Sequence, residues 1–243
     1  MRALTYDIMS DTKQSQIRRR NDPRNRRTLR KSERTRQAIL DAALKFLWTH
    51  PFRDLTVGEL MSLAGTSRPA FYQYFEDLHG LMETLLHAIE KDIFGVATPW
   101  LQGEGDPLPL LEESMEGLVR VCYQQGPILR AVSDAAPMDE RLEKAWTNFL
   151  KDFDDAVTQR IEQHQKTGLI LPFDARSVAI ALNRMDAYLL IHHFGRRPRG
   201  NRDSVRKAIL QVWVSTLYSG QAVSGDVSER RAKRAKTSRS KTS

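Results

Sequence analysis

Residues 55–75 read LTVGELMSLAGTSRPAFYQYF. Thr56 and Glu59 stand at the Thr-x-x-Glu spacing that lets two side chains satisfy free amides in the first turn of a helix, and Gly65 is a C-terminal stop. A short helix over 57–64 is expected. Thr66-Ser67 restarts a helix, with Ser67 as its cap and Pro69 tolerated in the first turn, running through Ala70, Phe71, Tyr72, Tyr74 and Phe75. Two short helices joined in this way match a helix-turn-helix, whose second helix enters the major groove while the first braces it across the backbone. The side chains suit that task. Ser67, Arg68 and Ala70 are short or able to read guanine, Gln73 can read adenine, and the hydroxyls of Tyr72 and Tyr74 and the helix-start amides suit phosphate. Phe71 and Phe75, four residues apart, face inward.

Outward from this stretch the periodicity stays helical, and no alternating strand is found. Ile39, Ala43 and Phe46, with Leu40, Leu44 and Leu47 beside them, make a broad apolar face for a helix over about 32–49, capped by Ser32 and stopped by Pro51. After the helix pair, Leu81, Leu85, Ala88 or Ile89, and Ile93 space a helix from Leu78 to about Val96, ending near Gly95 and Pro99. Beyond the loop Gly103-Glu104-Gly105-Asp106-Pro107, further helices are expected at about 108–125, 127–134, 138–166, 174–194 and 202–219. In the last, Val205, Ile209, Val212 and Thr216 and the neighbouring row Leu210, Trp213 and Leu217 form too wide an apolar stripe for one core contact. One face is expected on the chain's own core and the other on a partner subunit; a monomeric bundle is the alternative.

The fold class expected is therefore all-α. Four regions follow: a basic, disordered arm over 1–31, a helix-turn-helix DNA-binding domain over 32–77, a helical domain over 78–220 that carries the dimerisation face and, by the resemblance given below, ligand binding, and a basic, disordered tail over 221–243.

Charge supports the division. Residues 13–36 carry eleven Lys/Arg against two acids, net +9, and residues 226–243 carry seven against two, net +5, in a chain whose total is +8. The body between them is mildly acidic, so the ends attract polyanions, with nucleic acid ahead of membrane because neither end has an apolar face. The alternative for the C-terminal run is a charged tail that only aids solubility. No window approaches the roughly 18 apolar residues of a membrane span, so a cytoplasmic, nucleoid-associated protein without a membrane partner is expected. One cysteine, Cys122, excludes an internal disulfide and is read as a small core residue. The six histidines show no zinc-like spacing, and the adjacent His192 and His193 point about 100° apart on a helix. No metal and no cofactor are expected. An enzyme is not expected either, for no G-x-S-x-G, H-E-x-x-H or phosphate-loop pattern occurs.

With Leu-Thr-Val-x-Glu-Leu at 55–60, Ala-Gly-Thr-Ser-Arg at 64–68 and Phe-Tyr-Gln-Tyr-Phe at 71–75, the segment from Ser32 to Leu86 resembles the DNA-binding domain of the TetR family of bacterial regulators. The resemblance implies a homodimer on a near-palindromic double-stranded operator, joined through 174–194 and 202–219, with a small-molecule pocket in its C-terminal domain. It also implies that Thr56 and Tyr72 contact phosphate and that Thr66, Ser67, Arg68, Pro69, Ala70, Gln73 and Tyr74 belong to the reading surface. One departure stands out. The family commonly has a lysine where this chain has Leu78, so a backbone contact is missing there.

Ala181-Leu182-Asn183 with Met185-Asp186, then Val212-Trp213-Val214-Ser215-Thr216-Leu217-Tyr218, is similar to the C-terminal domain of the EthR-type branch, which binds elongated apolar ligands. That likeness implies a pocket lined by Leu118, Val121, Trp146, Phe149, Phe153, Asn183 and Trp213, with Asp186 where the branch has an asparagine. The residues themselves leave two readings open. Leu142, Trp146, Phe149 and Phe153 make an aromatic stripe that serves a core as well as a ligand site. Asn183 and Asp186 share an apolar face and need partners if buried, either in a structural network or in a ligand. The function expected is a ligand-responsive repressor released by a small, mostly apolar effector. The alternative is a ligand-independent or architectural DNA-binding protein acting through its basic ends.

Overall fold

The computed structural model describes residues 23–219, and over 23–30 it describes the backbone alone. Among the described residues there are eight α-helices and no strand: α1 (Pro23–Leu47), α2 (Val57–Ala64), α3 (Arg68–Tyr72), α4 (Leu78–Gln102), α5 (Pro107–Ala135), α6 (Glu140–Lys166), α7 (Ala175–Phe194) and α8 (Arg202–Leu217). They fall into two compact units. The smaller holds the described residues through Phe46 together with Leu55–Leu81; the larger holds Leu47–Asp54 and the described residues from Met82 on. The connector between α1 and α2 thus packs with the larger unit, where the sequence assigns all of 32–77 to one domain.

In the smaller unit Ile39, Ala43, Phe46, Leu60, Phe71 and Leu81 are fully or nearly fully buried. Gly65 ends α2 at φ 64°, a left-handed conformation that costs glycine nothing, and Thr66 N–H returns to Met61 O at 3.0 Å. Two local expectations are corrected. First, α1 starts at Pro23, not at Ser32: proline suits a first helical position, and the arginines, Leu29 and Lys31 that follow are good helix formers. The C-terminal part of the expected disordered arm is therefore helical, while 1–22 and 220–243 lie outside the described residues. Second, Ser67 takes the cap position of α3 but its hydroxyl makes no cap bond. Pro69 has no N–H to offer, and the Ala70 N–H is already given to Ser67 O at 3.0 Å.

In the larger unit two helices run through prolines that the sequence reads as stops. α4 continues past Gly95 and Pro99 to Gln102. Beside the break, Trp100 N–H donates to the buried Ser114 Oγ of α5 at 3.1 Å, and the Thr98 hydroxyl donates to Phe94 O at 2.9 Å. α5 is one helix through Pro127, not two. A proline at that position leaves the Tyr123 carbonyl without its helical donor, and Arg199 supplies one at 2.8 Å while its guanidinium lies 3.7 Å from the Tyr123 ring centre. Gly126 is required beside it, because a Cβ there would meet the Phe194 carbonyl oxygen at 2.5 Å. Side-chain caps at Asp106, Asp139, Asp174 and Asn201 open α5, α6, α7 and α8.

The connector is held from α5. Arg130, almost fully buried, donates to Leu47 O at 2.6 Å and His50 O at 3.3 Å, covering the end of α1. Elsewhere in the unit Trp100 Nε1–H donates to Tyr218 Oη at 2.8 Å, and Tyr218 Oη lies 3.0 Å from His164 Nδ1. Burial, seconded by the nearby Arg160 charge, lowers the His164 pKa to about 4, so the ring is neutral near pH 7.

Candidate DNA-reading surface and effector cavity

The polar side chains of α2 and α3 are left at the surface. Thr56 is exposed; its Oγ1 accepts the Glu59 N–H at 3.2 Å and keeps its own proton to donate. Ser67, Arg68, Pro69, Tyr72 and Gln73 are exposed and Thr66 and Ala70 half-buried, with Tyr72 62% accessible. Phe71 beneath is fully buried and meets the Tyr72 ring edge-on at 5.3 Å, so the phenol is braced at its base and open to solvent beyond. Arg68 folds back over α2, where a Cβ on Gly58 would meet its guanidinium at 2.5 Å. Sequence reasoning missed that seat, although a glycine inside a two-turn helix is the signal that marks it.

Tyr74 departs from the expected reading surface. It is half-buried and its hydroxyl donates to Ser32 Oγ at 3.2 Å, tying the turn after α3 to α1. Ser32 lies inside α1, not at its cap, which leaves that oxygen to receive the bond. Arg36 stacks over Phe75 at 5.6 Å, while Lys31 and Arg34 are exposed on the same helix.

The larger unit holds a partly open cavity of about 90 Å³. All four of the last long helices and α4 reach it: Ile93 and Trp100 from α4, Leu118 and Cys122 from α5, Trp146, Phe149 and Phe153 from α6, Asn183 and Asp186 from α7, Trp213 from α8. Val121 is the exception among the expected lining residues. It is buried at the margin of the α5 face that carries Ser114, Leu118 and Cys122, and does not line the cavity. The aromatic rings interlock, Trp146 on Phe149 at 5.2 Å and Phe153 on Phe94 at 4.3 Å, and Trp213 meets Trp100 edge-on at 5.4 Å.

The two polar residues of α7 differ in what they have left. Asn183 gives its amide to Asp154 Oδ1 at 3.0 Å, and Arg184 holds the same carboxylate with bonds of 3.1 and 2.9 Å. Asp154 is the residue sequence reasoning missed, its signal being an acid on the inner side of α6 next to Phe153. Asp186 is 6% accessible; Oδ2 accepts the Trp213 indole N–H at 3.0 Å and the buried Oδ1 has no partner among the described residues. Burial pushes this carboxyl well above the usual carboxylate range, against the opposing pull of the Trp213 bond. Cys122, beside it and fully buried, is also pushed up, by burial first and the Asp186 charge second. Among the described residues no group of His, Cys, Asp and Glu is placed to hold a metal, and no helix is long and apolar enough to cross a membrane.

An exposed helix-turn-helix on one unit and an aromatic cavity in the other have the layout of a one-component regulator, the kind of protein that reads DNA and senses a small molecule in a single chain. The signature of bacterial regulatory proteins of the tetR family matches residues 39–85, and that of the transcriptional regulator EthR C-terminal domain matches residues 111–219. The HTH-type transcriptional regulator EthR of Mycobacterium tuberculosis is 27% identical over 81% of this chain and 93% of its own length; that of Mycolicibacterium smegmatis is 24% identical over 81% and 92%. In fold, the chain is similar to the TetR family regulator PfmR from Thermus thermophilus, with a TM-score of 0.61 at 18% identity over 74% of this chain and 98% of that one. The chain belongs to the TetR family, with a C-terminal domain of the EthR type. It is an HTH-type, DNA-binding transcriptional regulator.

Proposed function

We propose that α3 of each protomer reads one half of a near-palindromic operator, and that a small, mostly apolar effector entering the cavity releases the DNA. Arg68 and Gln73 face bases, Ser67, Pro69 and Ala70 allow the close approach, Thr66 lies at its edge, and Thr56 and Tyr72 hold phosphate. The observation that carries the control is on α4. Its first turn, Leu78–Leu81, groups with the DNA-reading unit, while Ile93, Ala97, Trp100 and Leu101 farther along it line the cavity. At about 90 Å³ the cavity is smaller than the roughly 150 Å³ that accommodates benzene, so an elongated effector must push its walls apart, α4 among them. The Arg130-held connector Leu47–Asp54 is a second route by which the same displacement reaches the chain ahead of α2.

Dimerisation through α7 and α8 is supported by Tyr188 and Val212, large apolar side chains that stand 70% and 40% accessible on these helices. Regulation, and not catalysis, is supported by the two matched domains, both of them parts of transcriptional regulators. The place of action that follows from DNA binding is the cytoplasm, on the nucleoid. Footprinting of the full chain tests the reading: protection confined to one near-palindromic site, relieved by an apolar ligand that quenches Trp146 and Trp213, is the expected result. Uniform coating that no ligand relieves would make the protein an architectural binder instead.

A further inference from the structure

Asp186 is the single acid on the cavity wall, and no lysine, arginine or histidine lines it among the described residues. Its carboxyl lacks one hydrogen bond in either protonation state: the ionised form has no cation against Oδ1, the neutral form no acceptor for its proton. The wall offers nothing to fill the gap. α4 presents only apolar and aromatic side chains there, α6 likewise, and α5 the neutral Cys122 thiol and the Ser114 hydroxyl already joined to Trp100 N–H. On α7 Asn183 gives its amide to Asp154, and on α8 the Trp213 indole is already bonded to Oδ2. A buried group in this condition is costly unless something that enters the cavity completes it.

We propose that the effector is a lipophilic amine, whose ammonium pairs with Asp186 Oδ1 while its apolar body packs against Trp146, Phe149 and Phe153. This rests on reading the cavity as the effector site. Trp213 already donates to the carboxylate that the pair requires, and the indole and phenyl faces attract a desolvated cation. A fatty acid or an acyl phosphate would bring its own anion into a wall that offers no cation to balance it. Burial pushes the carboxyl well above the usual carboxylate range; where it is protonated, the amine arriving as its ammonium ion displaces the carboxyl proton to solvent as the carboxylate–ammonium pair forms.

The test uses the full-length protein and four probes of one length: 6-phenylhexylamine, 6-phenylhexanol, 6-phenylhexanoic acid and 6-phenylhexanamide. Binding is measured by calorimetry in two buffers of different ionisation heat, and operator release by fluorescence anisotropy, from about pH 5.5 to 7.5. The amine is expected to bind at least about tenfold more tightly than the alcohol and the acid, with release of about one proton, and to tighten by up to about tenfold per pH unit while the free carboxyl stays protonated. An amide that outbinds the amine overturns the proposal in favour of a neutral acid donating to a carbonyl. Asp186→Asn is expected to erase the amine's lead over the alcohol, and a lead that survives overturns it. Should that variant not fold, the ranking of the amine against the alcohol, the acid and the amide on the unaltered protein decides. If the alcohol binds and releases operator as well as the amine does, the effector site stands and the amine assignment falls. If no probe binds, both fall.

Discussion

The tip of α3 and the polar end of the cavity are both built from a few polar side chains near aromatic rings, and they treat those groups in opposite ways. On α3 the local backbone absorbs the hydrogen bonds that side chains might have made: Ser67 O takes the Ala70 N–H, and the Ser67 hydroxyl is left over. In the cavity, long-range partners absorb the side chains themselves, Asn183 on Asp154 and Trp213 on Asp186, and one carboxyl oxygen is left over. Exposed leftovers cost nothing because water serves them, and they can meet a phosphate or a base edge. A buried leftover is destabilising, so it marks the place where the unit gains most from a ligand.

This contrast can be broken most severely at Trp213. Trp213→Ala should cost about 3–5 kcal/mol, through the lost ring and a carboxyl left with neither oxygen paired. Urea unfolding followed by circular dichroism measures it, and a loss below about 1 kcal/mol would mean that the cavity wall collapses to refill the space. The next effect is a pH dependence from the same unit. His164 has a folded-state pKa of about 4, below its unfolded value, so the stability it contributes is complete above about pH 6.5 and is lost as pH falls toward 4. The loss should approach about 3 kcal/mol by pH 4. Comparing unfolding curves at pH 7.5, 5.5 and 4.5 with those of His164→Gln should show a smaller dependence in the variant.

A third change sharpens the role of long-range donors. Arg199→Ala strands the Tyr123 carbonyl that Pro127 leaves without a helical donor, at a cost of about 1–3 kcal/mol, while an Arg199→Lys variant that reaches the same oxygen should recover part of it. On the exposed side, Arg68→Ala should relax base preference by about 1–3 kcal/mol at one position per half-site, as competition binding on operator variants would record, with fold stability little changed. The smallest effect expected is that of Tyr72→Phe. Losing one phosphate bond should weaken all sequences alike by about 1 kcal/mol, and a change confined to one base pair would move Tyr72 from the backbone to the readout.

What can be read in advance follows the range of the interactions. The Thr56 cap, the Gly65 stop and the inward pair Phe71 and Phe75 act within four residues, so their spacing displays them, and the helix-turn-helix is legible down to most of its side chains. Tyr74 reads as a DNA contact because its partner, Ser32, lies 42 positions away on another helix. Periodicity and resemblance find the aromatic cavity residues, but periodicity cannot separate Val121 from Cys122 on a helix buried over much of its girth.

By itself the sequence determined an all-helical chain, the reading helix and its exposed side chains, and the aromatic stripe of α6, because helix period and capping are local properties of the chain. Only the tertiary structure decided that α4 and α5 pass through Pro99 and Pro127, since the partners that make this tolerable, Ser114 and Arg199, come from outside those helical turns. It also decided which member of the pair Asn183 and Asp186 is spent. Both stand on one face of α7, and what separates them is whether a donor or acceptor from another helix completes them, which no count along the chain can supply.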